Sequence, residues 1–191
     1  GPAQARPPAS QAPCWTKGPA RLTLRVAMPN WTVASETGRL AEVLVCPPDH
    51  YRWLPTNAVA RRSLAEGHQP DRAALAAQHA ELCDALSQAG VAVRRLPPQP
   101  HLPYMVYTRD SVVVTHRGPV LCQLERPQRR GEYAHLLTFH AEHGSAMWRL
   151  SSAGTLEGGD VHIIQPGLAV VGASGGRTDL AGAEQFAGWL R

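Results

Sequence analysis

Apolar runs and helix-like spacings alternate along this chain, and their order predicts a mixed α/β protein. Strand-like runs occur at residues 22–28 and 42–46, and two prolines stop the second run. From Asp71 to residue 89 the spacing is helical, since Leu75, Gln78-His79, Leu82 and Leu86 recur at intervals of three and four. Asp71 can cap the first turn, and Gly90 follows the last turn. This segment predicts a helix.

The second half of the chain repeats a strand, a hairpin, a helix and a strand. Apolar runs on either side of turn residues predict two hairpins, and helical spacing predicts two further helices. The strands are predicted at 91–93, 111–115, 120–124, 148–150, 161–164 and 168–171, the hairpin turns at 116–119 and 165–167, and the helices at 131–143 and 181–190.

Composition divides the chain into a short leader and one folded domain. Residues 1–20 are rich in Pro, Ala and Gln, and the initial Gly-Pro resembles the remnant of a protease site from expression. We expect a disordered, tag-like or linker-like segment at 1–20. The domain is expected at 21–191, a length that can bury a real core.

Charge and cysteine usage exclude several classes of protein. The net charge of +4 is spread along the chain without a basic stripe, which argues against nucleic-acid binding. The four cysteines lie far apart without Cys-x-x-Cys spacing, so neither a zinc site nor a disulfide framework is indicated, and a cytoplasmic protein is expected. No apolar run is long enough to cross a bilayer, so no membrane partner is expected.

The segment Glu157-Gly158-Gly159-Asp160 carries two carboxylates directly before a predicted strand. Buried carboxylates are costly without a positive partner, while the glycines let the backbone approach closely. A guanidinium or an amine would be a suitable partner. The alternative is a turn that enters a strand with two solvated acids.

A second acid, Asp110, lies at the corresponding place in the other predicted hairpin unit, within Tyr107-Thr108-Arg109-Asp110. It can line a pocket at the start of the strand, or it can cap a turn or pair with Arg109. Two acids before two similar hairpins favour repeated units that present carboxylates toward a common centre.

Four ordered motifs resemble those of the guanidino-group modifying enzymes: arginine deiminase, dimethylarginine dimethylaminohydrolase and the amidinotransferases. They are Tyr-Thr-Arg-Asp at 107–110, Arg-Arg-Gly-Glu at 129–132, Glu-Gly-Gly-Asp at 157–160 and Gly-Ala-Ser-Gly-Gly-Arg-Thr at 172–178. The resemblance covers about residue 21 to the end and corresponds to the N-terminal portion of the family. It implies an α/β fold, a pentein-type propeller of ββαβ units with about three of five units in this chain.

The resemblance also implies roles for five residues. Asp110 and Glu157 would grip the substrate guanidinium as catalytic and binding carboxylates, because paired N–H donors match a carboxylate. Asp160 would orient Glu157 or its backbone. Arg130 and Arg177 would hold a substrate carboxylate, although either can equally be a surface arginine. Neither a cofactor nor a metal is implied.

Two features depart from the family. Tyr104 stands six residues before Asp110, where many hydrolases of the group have an acid, which suggests an altered or narrower pocket. The family's nucleophilic Cys and its His lie downstream of the last motif, and this sequence ends at Arg191 before either. Cys83 and Cys122 do not fit the nucleophile's position. We therefore expect a second chain or a C-terminal fragment to complete the propeller.

The expected function is hydrolysis of the guanidino group of arginine or a methylated arginine. A thiolate would attack the guanidinium carbon, a histidine would protonate the departing amine, and water would release the product. Two alternatives remain: an amidinotransferase, in which a second amine replaces water, and a non-catalytic pentein-type protein that binds a ligand or a partner.

Overall fold

The computed structural model describes residues 31–144 and 149–191. The strand predicted at 22–28, the leader 1–20 and the first residue of the strand predicted at 148–150 lie outside these ranges. The described strands are β1 (Glu42–Val45), β2 (Ala92–Arg95), β3 (Val112–Thr115), β4 (Gly118–Leu121), β5 (Arg149–Leu150), β6 (Val161–Gln165) and β7 (Leu168–Val171). The described α-helices are α1 (Ala58–Ala65), α2 (Arg72–Gln88), α3 (Thr108–Ser111), α4 (Glu132–Glu142) and α5 (Leu180–Leu190).

The strands form three small sheets. β1 pairs in parallel with β2, and α1 and α2 lie between them in the chain. β3 and β4 form an antiparallel hairpin, and α4 then leads to β5, which pairs in parallel with β4. These four elements make one complete ββαβ unit. The hairpin β6–β7 followed by α5 repeats its first three elements. The mixed α/β prediction is confirmed, whereas a closed propeller and the number of units stay predictions.

The β3–β4 hairpin has a shorter turn than predicted, because Gly118 and Pro119 belong to β4. Thr115 closes the turn: its hydroxyl donates to the Gly118 carbonyl at 2.8 Å and accepts from the Arg117 N–H at 3.1 Å. Pro119 has no N–H to give to a neighbouring strand. It is tolerated because β5 pairs with β4 only beyond this proline.

The helix predicted from Asp71 is confirmed, whereas α1 was not predicted. The Asp71 carboxylate accepts from the N–H groups of Ala73 at 2.9 Å and Ala74 at 3.1 Å, which caps α2. α1 is capped in the same way by Asn57, which accepts from the Ala60 N–H at 2.8 Å. α1 spans only eight residues and buries none of them, so it is too short to establish a helical repeat in the sequence.

The β3–β4 hairpin lies between two apolar clusters. Val112 and Leu121 belong to a cluster that reaches β1 and α4, whereas Val113 and Val120 belong to a cluster that reaches β6 and α5. Because neighbouring residues in a strand point to opposite faces, both faces of the hairpin are covered. This explains its uninterrupted apolar sequence and places the segment before β3, which carries Asp110, near the middle of the molecule.

The absence of a side chain at Gly182 lets α5 pack directly against the main chain of Thr155. A Cβ on Gly182 would lie 2.1 Å from the Thr155 carbonyl oxygen, so Gly182→Ala must displace the helix and is expected to cost about 2 kcal/mol or more of unfolding free energy. Gly188 lies in the same helix with nothing within 4 Å of its Cβ position. Gly188→Ala is therefore expected to raise stability by up to about 1 kcal/mol. Urea unfolding measures both, and equal effects would contradict this packing.

His140 gives a prediction for the pH dependence of stability. Its side chain is buried against the edges of Trp31 and Phe139, and burial, with a smaller contribution from His143, lowers its pKa from 6.5 to about 4. The unfolded chain therefore takes up this proton first, so stability is lost as the pH falls from about 6.5 toward 4. At about pH 4.5 the loss from this group is about 2 kcal/mol. Urea unfolding of the wild type and of His140→Gln at pH 7 and 4.5 should show a smaller pH-dependent loss in the variant.

Candidate functional site

Asp110 lies on α3, a single helical turn that precedes β3. The Asp110 N–H donates to the Tyr107 carbonyl at 3.0 Å, and the Thr108 hydroxyl anchors the turn to the Leu44 carbonyl of β1 at 2.9 Å. The helical turn was not predicted, because four residues are too few to show a period. It leaves the Asp110 carboxylate 23 % exposed, at the wall of a cavity.

Glu157 precedes a 3-10 turn, Gly158–Asp160, whose last residue is Asp160, and this turn precedes β6 in the same way. The Glu157 side chain is buried. Its N–H donates to the Thr178 hydroxyl at 3.0 Å, and that hydroxyl donates to Asp160 at 2.7 Å. Asp160 thus reaches the main chain of Glu157 through Thr178, and an orienting role for Asp160 stays a prediction.

The two acid-bearing turns interlock through main-chain contacts. A Cβ on Gly158 would lie 2.1 Å from the Arg109 carbonyl oxygen, and a Cβ on Gly159 would lie 2.8 Å from the Asp110 carboxylate. The Arg109 side chain crosses to the other turn, where it donates to the Gly158 carbonyl at 3.1 Å and pairs with Glu36 at 2.6 Å. Arg109 therefore joins the turns, and the alternative in which it pairs with Asp110 is not the observed arrangement.

Arg129 is the cation at the centre of the site. Its side chain is 6 % exposed and makes two hydrogen bonds of 2.9 Å to Glu132, which is buried in turn. Its Nη1 donates to Asp110 at 2.7 Å and lies 3.6 Å from Glu157. Burial acts to lower the pKa of Arg129, but the hydrogen bonds and charges of Glu132 and Asp110 outweigh it and raise the pKa. This guanidinium is therefore permanently charged.

Glu157 also binds a second guanidinium, that of Arg177. The Arg177 Nη1 donates to Glu157 Oε1, although Arg177 is 47 % exposed and Glu157 only 8 % exposed. Burial raises the pKa of Glu157 and Arg177 opposes that shift, so the ion pair helps to keep this carboxylate charged.

The acid–arginine pairing is repeated in the two hairpin units. Arg129 follows Asp110 by 19 residues, and Arg177 follows Glu157 by 20 residues, each after one hairpin. In both units the chain leaves an acid-bearing turn, forms a hairpin and returns an arginine to that acid. The carboxylates of the two units thus face the same centre, with Arg129 between them.

A cavity of about 710 Å³ opens beside this centre. Three tyrosines form one wall, with the Tyr51 and Tyr107 hydroxyls 3.1 Å apart and the Tyr104 hydroxyl accepting from the Leu54 N–H at 2.9 Å. Tyr104, for which the sequence predicted an effect on the shape of the pocket, therefore lies in the pocket wall. The cavity is lined by these tyrosines together with Trp53, the start of α1, Asp110, Arg126, Gln128, Arg129 and Arg177.

Arg130 lies away from the carboxylates. Its side chain is exposed and donates to the carbonyls of Leu124 at 3.4 Å and Glu125 at 3.1 Å. The neighbouring Arg129, for which no role was predicted, contacts the carboxylates of Asp110 and Glu132, and a substrate contact by Arg130 stays a prediction.

The described cysteines are buried. Burial raises the pKa of both the Cys46 and the Cys122 thiol to about 12, so neither is a ready thiolate at neutral pH, and Cys83 is also buried. Among residues 31–144 and 149–191, no cluster of His, Cys, Asp and Glu could hold a metal ion. In the same ranges, every helix is too short or too polar to cross a bilayer.

Residues 83–190 match the family described as arginine deiminase, which is more than half of the chain. The chain belongs to the arginine deiminase family. The predicted membership of the guanidino-modifying superfamily is thereby confirmed.

Individual relatives agree with this family. The uncharacterised protein YkgA of Bacillus subtilis is 31% identical over 152 residues, which are 80% of this chain and 52% of that protein. The N(G),N(G)-dimethylarginine dimethylaminohydrolase of Pseudomonas aeruginosa is 28% identical over 132 residues, which are 65% of this chain and 51% of that protein. The chain thus spans about half the length of the curated relatives it matches.

A solved structure shows the same fold. A dimethylarginine dimethylaminohydrolase, crystallised as an adduct with 4-chloro-2-hydroxymethylpyridine, aligns with a TM-score of 0.63 and 26% sequence identity. The alignment covers 80% of this chain and 56% of that chain. The pentein class of the fold follows from this likeness.

Sequence reasoning missed three parts of the site. The role of Arg129 had no distinguishing local signal, because the 20-residue spacing of Glu157 and Arg177 in the second unit corresponds to Arg130 rather than Arg129 in the first. No local sequence pattern indicated that Tyr51 and α1 line the cavity, since they are distant in sequence from the motifs that carry the acids and arginines. Thr178 is the last residue of the motif at 172–178, but nothing in that motif indicated that its hydroxyl would connect Asp160 to Glu157.

Removal of Arg129 tests the centre of the site. Arg129→Gln leaves three carboxylates without their shared buried cation and is expected to cost about 3 to 5 kcal/mol of unfolding free energy. Arg130→Gln, at the next and exposed position, is the matched control and should change stability by less than about 0.5 kcal/mol. Urea unfolding at pH 7 measures both. The deficit of Arg129→Gln should shrink on acidification, because protonation relieves the carboxylate repulsion, and a deficit independent of pH would contradict the electrostatic account.

Proposed function

We propose that this chain holds the guanidino group of arginine or a methylated arginine in a hydrolase of the arginine deiminase family. One observation carries the proposal: Glu157 already binds a guanidinium, that of Arg177, and Arg177 lies at the cavity wall. A carboxylate that accepts one guanidinium in a partly dry site can accept another of the same shape. Asp110 lies at the same wall and would be the second acceptor.

The cavity also suits the rest of such a ligand. The flat faces of the tyrosine wall can cover a planar cation. Arg177 would meet the ligand's carboxylate, and Asp160 would orient Glu157 through Thr178. Asp110 and Glu157 would also polarise the cation during reaction, which is the catalytic role proposed for them.

The chemical step would be covalent. A Cys thiolate attacks the guanidinium carbon, a His protonates the departing amine, and water hydrolyses the intermediate. The described cysteines do not fit this role, so we propose that a second chain or a C-terminal segment supplies both groups. We prefer hydrolysis to amidine transfer, because the characterised relative is named as a hydrolase. No cofactor is needed for this chemistry.

The buried thiols support a second candidate, a non-catalytic protein that binds guanidino compounds. Cys46 and Cys122 both have a pKa raised to about 12 by burial and are unsuited to attack. An assay for the ureido product, made on this chain together with the segment or chain that completes it, separates the candidates: turnover of bound arginine supports the hydrolase, and tight binding without turnover supports the binding protein.

Substitution of Glu157 tests the proposed guanidinium contact. Glu157→Gln keeps the size of the side chain but removes its charge, so arginine affinity at pH 7.5 is expected to fall by about tenfold or more. Asp84→Asn removes a carboxylate on an exposed position of α2 and serves as the control. Isothermal titration calorimetry measures both. If Glu157→Gln and the wild type bind arginine with equal affinity, the role proposed for Glu157 is contradicted.

A further inference from the structure

The two repeated arginines are held very differently. Arg129 is enclosed by Glu132 on one side and Asp110 on the other, and its side chain is 6 % exposed. Arg177 has Glu157 as its acidic partner, and its side chain is 47 % exposed. If Arg129 left its position, a buried guanidinium would lose its ion pairs with Glu132 and Asp110. If Arg177 left, an already exposed side chain would lose its ion pair with Glu157 and be hydrated. Only the second guanidinium is therefore held weakly enough to exchange.

The segment that carries Arg177 supports movement of the side chain alone. Thr178 is fully buried, and its carbonyl accepts from the N–H groups of Ser174 and Gly175, both at 3.1 Å. The loop backbone is thus anchored at the residue next to Arg177, while the guanidinium lies at the cavity wall. Rotation of the side chain can release Glu157 without displacement of the loop.

We infer that Arg177 occupies the guanidinium position of the free site and is exchanged when ligand binds. The ligand's guanidinium takes the place of Arg177 at Glu157, and Arg177 turns to the anionic end of the same ligand. This inference rests on the proposed function, since it assigns a competitor to the position that Glu157 offers.

If this exchange occurs, tight binding requires that the ligand also carry an anionic group. A ligand that carries both a guanidinium and a carboxylate gives each member of the Glu157–Arg177 pair a new partner. A ligand with a guanidinium alone must break the pair and leaves Arg177 without one. Arg177 therefore selects amino-acid ligands in two ways: it attracts the carboxylate and it competes with guanidino compounds that lack it.

Arginine and agmatine, which is arginine without its carboxylate, form a matched pair of probes. Arg177→Gln removes the competitor, so agmatine affinity should rise by about three- to tenfold, while arginine affinity should not rise. The preference for arginine over agmatine should therefore fall by about tenfold or more. Arg177→Lys keeps a charge that can pair with Glu157 and should retain most of the preference. Arg95→Gln, an exposed change on β2, is the control, and calorimetry at pH 7.5 measures all four proteins.

Each outcome bears on the exchange. A rise in agmatine affinity in Arg177→Gln supports it. Unchanged agmatine affinity with weakened arginine binding means that Arg177 is a carboxylate contact without competition, and weaker binding of both ligands means that it only supports Glu157; either result overturns the inference and leaves the proposed function standing. Absence of arginine and agmatine binding in every form overturns the proposed function, and the inference with it.

Discussion

A buried guanidinium holds the centre of this molecule together. Arg129 satisfies Glu132 with two hydrogen bonds and Asp110 with a third, while Glu157 lies 3.6 Å away. Three carboxylates this close would repel one another and lose their hydration if no cation lay between them. The positions of α3, of α4 and of the turn before β6 all depend on this one charge, because each contributes one of the acids.

The elements that sequence predicted best are those with strong local signals. The β6–β7 and β3–β4 hairpins, α2, α4 and α5 were all recognisable, because apolar runs, caps and glycines act within a few residues of one another. The two sequence motifs that carry Asp110 and Glu157 were recognisable for the same reason. Gly158 and Gly159 stand where a side chain would collide with the other turn, so their presence in sequence already indicated a close approach.

The features that sequence could not predict depend on distant partners. α1 is only eight residues long and buries none of them, and α3 is a single turn held to β1 by Thr108. The choice between Arg129 and Arg130 is decided by a 3-10 turn before α4, Pro127–Arg129, after which the first side chain is buried and the second exposed. Two adjacent arginines have the same local chemistry, and only the surrounding fold distinguishes them.

The pairing of these acids follows from an electrostatic constraint on any site for a cation. Carboxylates that are oriented in advance and partly dry cannot remain without a partner in the free protein, since their desolvation would have no compensation. The chain meets this constraint in two ways: Arg129 is a permanent partner enclosed by acids, and Arg177 is an exposed partner on an anchored loop. The permanent partner stabilises the arrangement of the acids and lowers the net negative charge that a ligand meets. The exposed partner keeps Glu157 charged until a ligand arrives, at the cost of competition with it. Discrimination among ligands then depends on what each offers to the displaced arginine, and this can differ between ligands with identical guanidino groups.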